Sequence, residues 1–158
     1  MNNSTEPEAD RAWMETAIEL SRRCPPSTTA YSVGAVIVGP DGHELSHGFS
    51  REVDHVHAEE SALAKLEIGT DLTGATLYST LEPCTQRRSR PHTCTQLILN
   101  AGIGRVVIAW REPSLFVAAC QGVRRLQDNG VTVKELHSFA DQARAINAHL
   151  LSPEEGTQ

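Results

Sequence analysis

His57-Ala58-Glu59-Glu60-Ser61-Ala62-Leu63-Ala64-Lys65-Leu66-Glu67 begins with a side chain able to bind a metal and continues with a helical pattern. Ala58, Ala62, Leu63 and Leu66 recur at the spacing that gathers apolar groups on one side of a helix, which predicts a helix over residues 57–67. The chain just before it has a different period. Val33-Gly34-Ala35-Val36-Ile37-Val38 is rich in β-formers and ends at the turn sequence Gly39-Pro40-Asp41-Gly42. Leu45, His47 and Phe49 then alternate with polar neighbours, so a β-hairpin is expected to lead into this helix.

On the N-terminal side, Trp13, Ala17, Leu20 and Cys24 predict a helix over residues 7–23, stopped by Pro25-Pro26. On the C-terminal side, a strand is expected at 75–80, and a helix at 94–101 with Gly102 as its cap. Val106-Val107-Ile108-Ala109-Trp110 reads as a strand buried on both faces. A helix near 118–128, a strand at 131–133 and a last helix carrying Phe139, Ala143, Ile146 and Leu150 complete the order. A hairpin followed by alternating helices and strands implies an α/β protein, with a mixed sheet covered by helices on both faces. The expectation is one domain across 1–158, with its core at about 7–151 and disordered tails at 1–5 and 152–158.

Bulk properties narrow the function. The chain has 158 residues, 39% hydrophobic and 22% charged, as a globular domain would. No apolar run reaches the roughly 20 residues that cross a bilayer, so no membrane partner is expected. The polar, acidic start MNNSTEPEAD is unlike a secretory signal, which points to a cytoplasmic location. A net charge of −6 weighs against nucleic acid as a partner. In a reducing compartment, Cys24, Cys84, Cys94 and Cys120 are thiols or metal ligands before they are disulfides.

Among these, Cys84 and Cys94 combine with His57 into a plausible zinc set, because imidazole nitrogen and thiolate sulfur bind zinc at about 2.1 and 2.3 Å. Three protein ligands leave the fourth position to water, as in catalytic sites, and zinc brings the pKa of that water toward about 7. Glu59, two residues beyond His57, is not needed as a ligand and is placed to move protons. Each residue also has a plainer reading. Two cysteines alone are commonly buried thiols, and a first-turn carboxylate commonly answers the helix dipole, which is the reading given to Glu60. A structural zinc would want a fourth protein ligand, for which His92 is the nearest candidate. His55 competes with His57, although its place before the helix suits a loop or substrate role. Glu82 either accepts a substrate N–H or ties down its loop. Arg87, Arg88 and Arg90 are either a solvated basic loop or a phosphate site, with Arg51 a weaker fourth member. His47, Ser79 and Trp110 either line the pocket or serve structure, and Cys24 and Cys120 lack partners at ligand spacing.

His57-x-Glu59 followed by Pro83-Cys84 and Cys94 resembles the signature of zinc nucleobase deaminases, except that nine residues, Thr85 through Thr93, separate the cysteines. Thr80-Leu81-Glu82-Pro83-Cys84 with this long insert is similar to the deaminases of riboflavin biosynthesis, the fungal form above all. Ala30-Tyr31-Ser32-Val33-Gly34-Ala35-Val36, Gly48-Phe49-Ser50-Arg51-Glu52, Arg111-Glu112-Pro113 with Phe116-Val117, and Arg125-Leu126 before Gly130 extend the resemblance over about residues 13–133. The Asn-Pro start of the first strand in the bacterial bifunctional enzymes is absent, and Glu112-Pro113-Ser114-Leu115 replaces their Asp-Pro-Asn-Pro loop.

The resemblance implies a cytidine-deaminase-like fold, a three-layer α/β/α sandwich around a five-stranded mixed sheet. It implies zinc held at two helix N-termini, whose positive ends favour thiolates, and the backbone amide of Cys84 directed into the site. It also implies a hydrolytic deaminase of an amino-pyrimidine, the diamino-ribitylamino or ribosylamino pyrimidinone 5′-phosphate, assembled as a homodimer or homotetramer. Within these 158 residues no reductase domain, which usually accompanies this activity, is expected. Two alternatives remain: a paralogue acting on cytosine, guanine, a triazine, cytidine or deoxycytidylate, and a non-catalytic zinc-stabilised module, against which Glu59 speaks.

Overall fold

The computed structural model of the protein describes residues 6–83, 93–111 and 121–150. The β-rich run forms β1 (Gly34–Val38), buried along its whole length. It turns through Gly39–Gly42 into β2 (Glu44–Phe49). Gly42 takes φ 87°, a conformation that a side chain disfavours, and its amide bonds to Gly39 O at 3.0 Å. The remaining strands are β3 (Thr76–Ser79), β4 (Arg105–Ile108) and β5 (Thr132–Glu135). Their order across the sheet is β2-β1-β3-β4-β5. β1 runs antiparallel to both neighbours, whereas β3, β4 and β5 are parallel.

Alternation along these strands feeds two cores. On one face Ala35, Ile37, Leu77, Val106 and Ile108 meet Ala58 and Ala62 of α2 (Ala58–Ala64), Ile98 of α3 (Cys94–Ala101) and Leu126 of α4 (Gly122–Asp128). On the other face Val36, Val38, Tyr78 and Val107 meet Met14, Ala17 and Ile18 of α1 (Glu8–Ser21), and Ala143 of α5 (Ala140–Ile146). This is the expected three-layer α/β/α sandwich with a five-stranded mixed sheet.

Two glycines set how closely the layers approach. A Cβ on Gly34 would stand 2.0 Å from Ala17 O, so α1 crosses directly over β1. A Cβ on Gly48 would stand 2.7 Å from Ala58 O, so the first turn of α2 rests on β2. Element boundaries differ slightly from the sequence pattern. α2 stops at Ala64 rather than at Glu67, and a Leu66 N to Leu63 O bond tightens the chain beyond it. The last helix is preceded by a 3-10 turn at His137–Phe139, and the last strand runs two residues past Val133. The tails expected at 1–5 and 152–158 lie outside the described residues. Among the described residues no helix is long and apolar enough to cross a membrane.

Ser79 pairs with Ala35, and Thr80 N bonds to Gly34 O. The carboxyl end of β3 and the amino end of β1 therefore share one end of the sheet. That end is where ligands gather in open α/β folds.

Candidate functional site

The β2–α2 connection is a short, heavily bonded loop. Arg51 and His55 both have positive φ, 61° and 67°, which residues with side chains seldom adopt. Arg51 N bonds to Val56 O at 2.9 Å, closing the loop on itself. Glu52 fastens it to α2, because its carboxylate accepts Ser61 Oγ at 2.6 Å and Lys65 Nζ at 2.8 Å. Burial disfavours the Glu52 carboxylate, but the bonds from Lys65 and Ser61 outweigh it and hold the group below the ordinary carboxyl range. This anchoring fixes His57, the N-cap residue of α2, whose carbonyl accepts the first helical bond from Ser61 N.

The α3 end is capped by Thr93, whose side chain accepts Gln96 N at 3.1 Å. Cys94 is the first residue of that helix and is fully buried. Its Sγ lies 3.3 Å from Nδ1 of His57, so the two helix N-termini bring together a thiol and an imidazole 37 residues apart in sequence. On one tetrahedral zinc, a nitrogen at about 2.1 Å and a sulfur at about 2.3 Å stand about 3.6 Å from each other. The His57–Cys94 pair fits that requirement in both spacing and donor type. Among the described residues no third His, Cys, Asp or Glu completes a metal group. Cys84, the third ligand expected from sequence, lies outside them, as do Arg87, Arg88, Arg90, His92 and Cys120.

Glu59 occupies the first turn of α2 and is 4% exposed. Its Oε2 accepts a hydrogen bond from Ser79 Oγ at 2.9 Å. The chain leading to residue 84 is held from two sides. Thr95 Oγ1 donates to Pro83 O at 3.4 Å, and a Cβ on Gly122 would stand 2.1 Å from the same oxygen. The Glu82 carboxylate accepts Val123 N at 2.8 Å, which bonds it to α4. At the same end of the sheet, Tyr31 and Trp110 pack edge to face with centroids 5.8 Å apart.

Other residues singled out from sequence are placed elsewhere or are already engaged. Arg51 donates to Pro25 O, Tyr31 O and Ser32 Oγ, so its guanidinium is bound to the chain before β1. His47 is not brought to Glu59. Its neighbours Ser46 and Gly48 meet α2, so His47 projects from the opposite face of the sheet, where Nδ1 contacts Glu44 Oε2 at 2.6 Å. Sequence reasoning passed over Glu52, Ser61 and Lys65, although Ser61 and Lys65 lie four apart on one helix and signal a shared partner. It also passed over Asn147, which clasps both Ser32 N (2.6 Å) and Ser32 O (3.1 Å). Separated by 115 residues, that pair leaves no local signal.

Residues 7–110 match the family described as the cytidine and deoxycytidylate deaminase zinc-binding region. The diaminohydroxyphosphoribosylamino-pyrimidine deaminase of Schizosaccharomyces pombe is 41% identical over 143 residues, covering 87% of this chain and 35% of the relative. The chain thus spans about a third of the length of such curated relatives. A solved diaminohydroxyphosphoribosylaminopyrimidine deaminase/5-amino-6-(5-phosphoribosylamino)uracil reductase from Thermotoga maritima is 34% identical, with a TM-score of 0.77 over 91% of this chain and 40% of that one. The Aspergillus oryzae Rib2 deaminase in complex with DARIPP has a TM-score of 0.78 over 94% and 95% of the two chains. At 20% identity it attests the shared fold.

Proposed function

The chain belongs to the cytidine and deoxycytidylate deaminase zinc-binding family, and from that premise we propose that it hydrolytically deaminates a diaminopyrimidine ribityl- or ribosyl-amine phosphate of riboflavin biosynthesis. The observation that carries the reading is the meeting of His57 Nδ1 and Cys94 Sγ at 3.3 Å, with the buried Glu59 two residues beyond His57 in the first turn of the same helix. Similarity to the Schizosaccharomyces pombe deaminase supports the choice of ring.

In this reading His57 and Cys94 hold zinc together with Cys84. Zinc, when bound, supplies the Lewis acidity that makes a water nucleophilic near neutral pH. Glu59 takes a proton from that water and delivers it to the ring nitrogen as oxygen bonds to the amine-bearing carbon. Glu59 then passes the water's second proton to the departing nitrogen, the carbon–nitrogen bond breaks, and ammonia leaves a ring carbonyl behind. Oε2 of Glu59 accepts a hydrogen bond from Ser79 Oγ at 2.9 Å. With the Arg51 guanidinium engaged by Pro25, Tyr31 and Ser32, the substrate phosphate falls to Arg87, Arg88 and Arg90.

The test is ammonia release by zinc-loaded protein offered the diaminopyrimidine phosphate, cytosine, guanine, cytidine and deoxycytidylate side by side. Turnover of the first alone is expected. Turnover of deoxycytidylate or a free base instead would move the chain to another branch of the family.

A further inference from the structure

Ser79 is the last residue of β3 and has no exposed surface. Its backbone is fixed in the middle of the sheet, paired with Ala35 on one side and Ile108 on the other, and its carbonyl accepts Ala109 N. It points into the face where Leu77, two residues earlier, packs against Ala58 and Ala62 of α2. An apolar side chain would satisfy that environment. Ser79 instead supplies a hydroxyl whose oxygen lies 2.9 Å from Glu59 Oε2 and 2.9 Å from Leu81 O, and 3.4 Å from Leu81 N.

Ser79 is fully buried, and its side chain meets Glu59 and the backbone of Leu81. The hydroxyl has a direct hold on the carboxylate that performs the proton transfers. We propose that Ser79 is a positioning residue, which fixes the orientation of the Glu59 carboxylate from the rigid sheet rather than contacting substrate. This rests on the deaminase reading above for what Glu59 does, and on the structure alone for what Ser79 does. The hydroxyl has a single proton, which the Glu59 carboxylate takes in preference to the equally near Leu81 O because it carries the charge, while Leu81 N approaches the oxygen at 3.4 Å. A site built this way gains accuracy because its supporting group sits on a strand and not on a loop.

The test is Ser79→Ala with Ser79→Thr as the conservative variant, each also made in a Glu59→Gln background. If Ser79 acts through Glu59, Ser79→Ala lowers kcat about 10- to 100-fold, as displacement of a reacting group by about an ångström does. KM and zinc stoichiometry stay at wild-type values, and Thr restores most of kcat. In the Glu59→Gln background the same change has no further effect. An unchanged kcat, a selective rise in KM, or an equal loss in the Glu59→Gln background would overturn the proposal. A crystal structure of Ser79→Ala decides without any activity. The Glu59 carboxylate is expected to rotate away from its wild-type position, and finding it unmoved sinks the idea. Wild-type protein inert toward every amino-heterocycle would break the deaminase reading instead, and the crystal structure would still show whether Ser79 holds the carboxylate in place.

Discussion

Tyr78 and Ser79 are neighbours on β3, and their side chains leave the strand on opposite faces. Each hydroxyl holds a buried carboxylate: Tyr78 OH donates to Asp10 at 2.6 Å, and Ser79 Oγ to Glu59 at 2.9 Å. On the α1 face Asp10 also receives both Arg105 nitrogens, at 3.0 and 2.6 Å. Burial works against the Asp10 charge, yet bonds from Arg105 and Tyr78 prevail and hold its carboxyl below the ordinary range. On the α2 face the carboxylate lies on the helix that starts with His57, at the meeting point with Cys94. One device, an alcohol bonded to a carboxylate, thus serves packing where a permanent cation joins it. On the other face it holds the carboxylate to which the proposed chemistry is assigned.

Changes on the two faces are therefore expected to separate activity from stability. The largest effect comes from stripping zinc with a chelator, which should abolish ammonia release and restore it on adding zinc back, as followed by metal analysis and turnover. If activity survives complete removal, the α2 face is not a metal-dependent site. Next is Glu59→Gln, expected to lower kcat by about 10²–10⁴-fold with zinc still bound. A mutant as active as wild type would erase the contrast between the two carboxylates.

On the other face, Arg105→Ala leaves Asp10 buried beside Tyr78 alone. It should cost about 2–3 kcal/mol in urea unfolding, reduced from the cost of a fully buried pair because Arg105 is one-third exposed. Turnover per folded molecule should not change, and a fall in kcat would mean that the faces are coupled. The smallest effect is Tyr78→Phe, about 1–2 kcal/mol for the lost bond to Asp10.

That last variant also has a signature in pH. Burial, and then the bond to Asp10, push the Tyr78 hydroxyl up to about 12. A raised folded value means that its contribution is complete below about pH 10 and disappears as pH climbs toward 12. Asp10 behaves in the opposite sense. With its folded value lowered, its contribution is complete above about pH 4 and is lost as pH falls further. Urea midpoints of wild type should fall at both extremes, and Tyr78→Phe should remove the Tyr78 part of the alkaline loss. An identical alkaline profile in the two proteins would break the assignment.

Much of this was legible in local sequence because local rules governed it. The helical spacing after His57, the β-rich run to Val38 and the Gly39–Gly42 turn each carry their own period or punctuation. His57, Glu59 and Cys94 were proposed as a set because ligand chemistry restricts residue types so severely, and the fold brings His57 and Cys94 to 3.3 Å. Boundaries were less readable: α2 ends at Ala64, although Leu66 keeps the helical spacing and remains packed against the core. The period marks which side chains face inward, and the backbone bonds decide where the helix stops.

Roles that depend on direction were not legible at all. Sequence offered Ser79 and His47 as pocket-lining or structural residues, and Arg51 as a weaker member of a phosphate site. The fold puts Ser79 under Glu59, turns His47 to the α1 face beside Glu44, and binds Arg51 to carbonyls 20 and 26 residues away. Composition and spacing determined which chemistry the chain can hold, since a ligand or a proton carrier is fixed by its atoms. Only the tertiary structure decided which hydroxyl meets which carboxylate. The faces of a strand are assigned by what packs on each side, and the bonds that select Tyr78 for Asp10 and Ser79 for Glu59 span 68 and 20 residues of chain.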